Sequence, residues 1–281
     1  MESEHVRMVI DSNFLVPLPG QPSKLREYLA RKATNFAVLP DFLFLEAYKT
    51  GSVAGVCRSM EVLCEFPRQV LVLKPTKVCS GLRGREAGLQ RRMIAEEHTR
   101  QFLQYPRLLE QASAGDASAV RHILRDSKSP AEHMGGLADE AIGLGERIDE
   151  FANGFSREDR ACIRKGQVPS AKGVAHMFER VVTQVTGTLR GHPNVGRWPK
   201  KEEVRNTLIF RACLCQVLLA MDLGAQGEQS GTRIEKMVNH QVDAFIAAYG
   251  TFFDGVFSND KLLVKTYEAA RIWLEVFRRA G

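Results

Sequence analysis

Apolar residues recur along this chain with two different periods. Val6 to Ile10 (VRMVI) is a short apolar run that stops at Asp11, the pattern of a buried strand running into a loop. Pro17, Pro19, Gly20 and Pro22 mark that loop. Ser23–Lys32 then reads as a helix, with Ser23 as N-cap and Leu25, Tyr28 and Leu29 on one face. Phe36–Leu39 reads as a brief strand. Asp41 is placed to cap a helix from Phe42 to about Lys49, ended by Gly51, and a further helix fits Ser52–Phe66 up to Pro67. Gln69–Lys74 (QVLVLK) reads as the next strand.

From Thr76 to about Arg205 the helical period takes over and no strand pattern stands out. Helices fit Glu86–Tyr105, Ser118–Asp126, Ala131–Phe151 and Ala171–Leu189, separated by segments rich in Gly, Ser and Pro. Helices over Arg205–Met221 and Arg233–Tyr249 follow, then a short strand at Gly255–Ser258 and a helix over Lys261–Arg279. The order α/β, all-helical, α/β predicts an α/β fold with a mainly parallel sheet flanked by helices and a large all-helical insertion. On this reading residues 1–76 and 206–281 form a discontinuous core and 77–205 the insertion.

Charge sharpens that division. The chain has 281 residues and a formal net charge of +6. Residues 1–76, 77–156 and 206–281 sum to +1, −1 and 0, so 157–205, at +6, holds the whole basic excess. Arg164, Lys165, Arg197, Lys200 and Lys201 belong to it, and Trp198 between Arg197 and Lys200 offers a ring on which a base could stack. A solvated basic surface with a half-buried Trp explains the same residues. Leu208 to Met221, interrupted by Arg211 and Gln216, is too short to span a bilayer and reads as a buried helix. The start MESEHVR is unlike a signal peptide, and the six Cys include no CxxC pair, so buried thiols in a reducing cytoplasm are expected.

Four acids punctuate the apolar runs. Asp11 ends the first strand with Asn13 two positions on, Glu46 interrupts the apolar helix FLFLEAYKT, Asp243 opens VDAFIAAYG, and Asp260 follows Ser258 at the end of FFDGVFSND. Each also has a plain structural reading: an Asx turn or cap for Asp11, a solvated helix face for Glu46, and helix N-caps for Asp243 and Asp260. Carboxylates that converge repel one another unless a cation neutralises them, and hard cations such as Mg²⁺ or Mn²⁺ take oxygen ligands.

VIDSNFL, FLFLEAYKTG and VDAFIAAYGTFFDGVFSND together resemble the signature blocks of PIN-domain metal-dependent nucleases, over residues 5–76 and 206–281. The middle region is not covered by the resemblance. It implies an endoribonuclease dependent on Mg²⁺ or Mn²⁺, with Asp11, Glu46, Asp243 and Asp260 as metal-binding and catalytic carboxylates. Asn13 and Ser258 would orient carboxylates or water. It also implies an RNA substrate, with a toxin or defence effector held by a regulatory protein partner as one physiological setting. A catalytically weak PIN-like module that binds RNA or protein is the alternative. The apolar faces on two sides of Lys261–Arg279 are compatible with a homo-oligomer.

Other motifs are incomplete. Gly191-His-Pro-Asn-Val-Gly196 has P-loop glycine spacing but is followed by Arg197 and Trp198 instead of Lys and Ser/Thr. The stretch from Arg92 to His98 resembles the Arg/His motif of helical metal-independent ribonucleases, with Met93 where that family prefers a polar residue; a solvated helix face is the simpler reading. The seven His show no zinc-like spacing.

Overall fold

The computed structural model describes residues 5–16, 20–48, 51–126, 154–165, 167–225 and 234–280. In chain order its elements are β1 (Val6–Ile10), a 3₁₀ turn (Ser12–Phe14), α1 (Lys24–Arg31), β2 (Asn35–Leu39), α2 (Asp41–Tyr48), α3 (Val53–Glu65) and β3 (Val70–Val72). Then come α4 (Thr76–Cys79), α5 (Glu86–Met93), α6 (Glu96–Phe102), α7 (Tyr105–Ser113), α8 (Ala117–Asp126), α9 (Arg157–Arg164) and α10 (Ala171–Gly191). The rest are α11 (Lys201–Val204), α12 (Leu208–Ala225), α13 (Ile234–Gly250), β4 (Gly255–Phe257) and α14 (Lys261–Ala280).

Contacts cluster the chain into two units. The first is Met1–Thr76, Gln90–Met134 and Phe253–Asp260; the second is Lys77–Leu89, Gly135–Phe252 and Lys261–Gly281. These boundaries differ from the division at 77 and 205 read from the pattern, because α6 to α8 cluster with the strands and α12 to α14 with the helices.

The first unit is α/β. Its four strands lie in the order β3-β2-β1-β4, all parallel. Val6 to Val9 pair with Asn35 to Val38, and Met8 to Ile10 with Gly255 to Phe257. Helices cover a parallel sheet, which is why these strands read as nearly unbroken apolar runs. Along β1 burial deepens from a half-buried Val6 to a fully buried Ile10, so the chain enters the core as it approaches Asp11. Leu25 and Leu29 of α1 and Val56, Met60 and Leu63 of α3 recur at helical spacing and join Ile10, Leu39 and Leu43 in one core. Each side chain buried this fully contributes about 1.5–3 kcal/mol. Ser23 and Ser52 cap α1 and α3 through the N–H groups of Arg26 and Gly55. Gly51, at φ +59°, takes the left-handed conformation that a residue just past a helix end requires, and its N–H donates to the Tyr48 carbonyl.

The expected helix 86–105 is instead two helices, and the reason is tertiary. Ile94 forms an antiparallel bridge with Leu73; the Lys74 and Ala95 N–H groups donate to Met93 and Val72 at 2.8 Å. The edge of β3 thus captures the backbone between α5 and α6. Helices α7 and α9 were not expected; the helix expected at 131–151 lies outside the described residues.

The second unit is helical. Its centre is α12, where Leu208 to Leu223 is buried on every side, as an all-round apolar helix must be. Helices α9, α10, α13 and α14 pack on it. Met177, Val181, Val185 and Leu189 form the buried stripe of α10. Asp159 fixes the α9–α10 corner: it accepts from the Ser170 N–H at 2.8 Å and from the Ser156 and Ser170 hydroxyls, while Ser156 accepts from the Asp159 N–H. A Cβ at Gly173 would come within 2.9 Å of that carboxylate, so the corner needs glycine. Among the described residues no helix is long and apolar enough to cross a membrane.

Candidate functional site

The strand order creates a crevice. From β1 the chain continues to β2 on one side, and β4 returns on the other, so the order reverses between β1 and β4. In open parallel sheets ligands bind at such a reversal, beyond the carboxyl ends of the strands. Asp11 and Ser258 each follow one of these two strand ends directly.

The structure brings groups of Asp11, Ser12 and Asn13 together with groups of Phe257, Ser258, Asn259 and Asp260 there. The Asp11 N–H donates to the Phe257 carbonyl at 3.1 Å, extending the ladder by one step. The Ser258 hydroxyl donates to Asp11 Oδ2 at 2.5 Å, and the Ser12 hydroxyl lies 3.5 Å from Oδ1. Asn13 Nδ2 donates to Ser258 Oγ at 3.4 Å, and the Asn259 N–H donates to Asn13 Oδ1 at 3.2 Å. The Asp260 N–H donates to Ser258 Oγ at 3.0 Å, so Ser258 is the hub that joins the Asp11 carboxylate to Asn13 and Asp260. Asp11 is only 5% exposed. A carboxylate at that depth is costly unless hydrogen bonds or a cation stabilise its charge, and hydroxyl donors supply part of that.

Glu46 is half-buried on α2, whose helix packs against the 3₁₀ turn after Asp11. Asp243 belongs to the second unit. It was expected to open a helix, but α13 begins at Ile234 and places it in the interior, with its Oδ2 3.9 Å from His240 Nδ1. The cap reading of Asp243 is therefore corrected. The basic residues also belong to the second unit. Arg164 ends α9 and Lys165 follows it; Arg197, Trp198 and Lys200 occupy the loop before α11, which Lys201 begins. Trp198 is 54% exposed, so about half of its surface is open to solvent. Arg197 pairs with Glu203 at 3.3 Å, and Glu203 also accepts from the Lys200 N–H, which lowers its pKa through the backbone bond first and Arg197 after it. Part of the basic loop is thus neutralised internally. Its neighbour Asn194 donates to the Lys77 carbonyl at 2.7 Å, and a Cβ at Gly81 would meet the Asn194 carbonyl at 2.8 Å.

Sequence reasoning missed two residues and half the role of a third. Asn259 links Asn13 to Lys24, whose Nζ lies 3.4 Å from Asn259 Oδ1; the polar run SND was the available signal. Arg83 reaches the Arg197 carbonyl. Asp41 does more than cap: it accepts from the Thr76 N–H at 2.7 Å and hydroxyl at 2.6 Å, tying the end of β2 to the start of α4. The Arg92–His98 stretch divides between α5 and α6, so it is no single helix face.

The oxygens described at Asp11, its own carboxylate and the Ser12 and Ser258 hydroxyls, are hard ligands of the kind Mg²⁺ and Mn²⁺ take, whereas the neighbouring amide N–H groups are not cation ligands. Among the described residues, no three His, Cys, Asp or Glu side chains stand together as a ready-made metal cluster. No protein-family model, curated protein or solved structure matches the chain.

Proposed function

We propose that the chain is a PIN-like, metal-dependent endoribonuclease that works at the crevice between β1 and β4. The observation that carries this reading is a buried carboxylate, Asp11, at the carboxyl end of β1, held by Ser258 across a sequence separation of 247 residues. Asp11, with the Ser258 hydroxyl beside it, would hold a Mg²⁺ or Mn²⁺ ion; Glu46 and Asp260, of the same unit, and Asp243 enter through the sequence resemblance. When bound, such a cation acidifies a water and offsets charge on the scissile phosphate. The Ser258 hydroxyl orients the Asp11 carboxylate, and Asn13 braces Ser258 from the other strand end. Arg197, Trp198, Lys200 and Lys201, with Arg164 and Lys165, would contribute phosphate and base contacts, giving binding that weakens steeply with salt.

The test is RNA cleavage by the full chain with Mn²⁺ or Mg²⁺. Cleavage abolished by EDTA and by Asp11→Asn supports the reading; cleavage that survives both removes it. A second reading, a catalytically weak RNA- or protein-binding module, is favoured by the lack of a three-acid cluster among the described residues. RNA binding without cleavage in either metal would select it.

A further inference from the structure

The first unit contains a second concavity, of about 870 Å³, beyond the end of β3 and bounded by α2, α6, α7 and α8. That volume lies in the range of roughly 300–1,000 Å³ usual for small-molecule sites. Its floor is aromatic. Phe44 and Tyr48 of α2 face it together with Phe102 and Tyr105, whose rings are 5.3 Å apart and inclined by 22°, a near-parallel stack. The Tyr48 and Tyr105 hydroxyls meet at 2.5 Å, which fixes the second ring from its edge. The rim is polar and exposed: His98, Gln104, Arg107, Gln111 and His122. One carboxylate lines the pocket, that of Asp41, and the Thr76 N–H and hydroxyl already engage it. The rim therefore presents a permanent cation, two imidazoles and amides around a flat aromatic floor.

We propose that this pocket binds a nucleotide, with the base on the half-buried Tyr105 ring, which the buried Phe102 backs, and the phosphate at Arg107. Aromatic faces accept any base, since every base has a π face. Gln side chains pair with the donor and acceptor edges of bases, and a guanidinium grips phosphate bidentately. A lipid chain would leave the amide and imidazole rim without purpose, and an anion alone would leave the rings so.

Isothermal titration of AMP, GMP, CMP and UMP into the full chain, in EDTA, tests this without the proposed metal. Saturable binding of at least one nucleotide is expected. Arg107→Ala should weaken it at least about tenfold, and Tyr105→Leu should weaken it with ribose 5-phosphate binding more poorly than the nucleotide. A short oligoribonucleotide competing more tightly than the monomer would assign the pocket to RNA; binding of the monomer alone would assign it to free nucleotide. The absence of saturable binding by all four, or an affinity unchanged in Arg107→Ala, would overturn the proposal. Asp11→Asn should leave the affinity unchanged, so failure here and failure of the nuclease reading are separable.

Discussion

Each unit buries a charge, and the two charges are handled differently. Arg211 of α12 is 3% exposed, and all five of its donors are used within the second unit. Nε donates to the Arg205 carbonyl, Nη1 to the Thr251 carbonyl and hydroxyl, and Nη2 to Glu86 at 2.9 Å and Asn206 at 3.1 Å. Its guanidinium carbon lies 3.7 Å from the centre of the Phe252 ring. Burial draws its pKa down, with Glu86 opposing. Asp11 is buried almost as deeply, yet it sits where two strand ends open and accepts from neutral hydroxyls. A charge completed from inside holds a fold together. A charge oriented at the mouth of a crevice suits a ligand from outside.

Mutations should separate the two cases. Arg211→Ala is expected to have the largest effect, about 2–5 kcal/mol of lost stability in denaturant unfolding, because it takes the donor from the buried Thr251 carbonyl and empties the space over Phe252, while the half-exposed Glu86 can turn to water. A loss below about 1 kcal/mol would dissolve the contrast. Asp11→Asn should keep the fold and lower metal-dependent cleavage on the order of a hundredfold or more. Ser258→Ala should cost about 10–100-fold in activity or metal affinity, with less effect on melting temperature than Arg211→Ala.

A pH series adds a smaller effect. The Asp159 carboxyl is held below its ordinary value, first by the Ser170 N–H and then by the Ser170 and Ser156 hydroxyls. A depressed carboxyl stabilises the fold fully above its unfolded pKa of about 4 and loses that contribution as pH falls toward the folded value. Melting temperature should therefore fall with acid below about pH 4 more steeply in the wild type than in Asp159→Asn. Glu275 should matter least. Arg278 and Arg279 hold its carboxyl down to about 2, but all three are on the surface, and Glu275→Gln should leave the melting temperature within about 1 °C.

The parts of this molecule legible in sequence are those with local causes. VRMVI ending in Asp11, and GVF ending in Ser258, declared two strand ends because buried parallel strands carry continuous apolar runs. The cap at Ser23 was equally plain. Two missed helices had local signals too: Pro106 in the first turn of α7, and Ser156 with Glu158 and Asp159 opening α9. The break at Ile94 had none, since it depends on Leu73 at the edge of a strand distant in sequence. The helix expected over Arg233–Tyr249 already enclosed Asp243, as α13 does, so the reading of that residue as a cap ran against the sequence's own period. The pairing of Arg197 with Glu203 shows the same limit: a charge count reveals an excess but not which charges are already satisfied.

The central claim is that the crevice at Asp11 takes a divalent cation, and anomalous diffraction from crystals grown with Mn²⁺ tests it most directly. The account predicts a manganese peak within ligand distance of the Asp11 carboxylate, lost in Asp11→Asn. Crystals of the wild-type chain at saturating Mn²⁺ with no peak at Asp11, its carboxylate still bonded to Ser258, would contradict it.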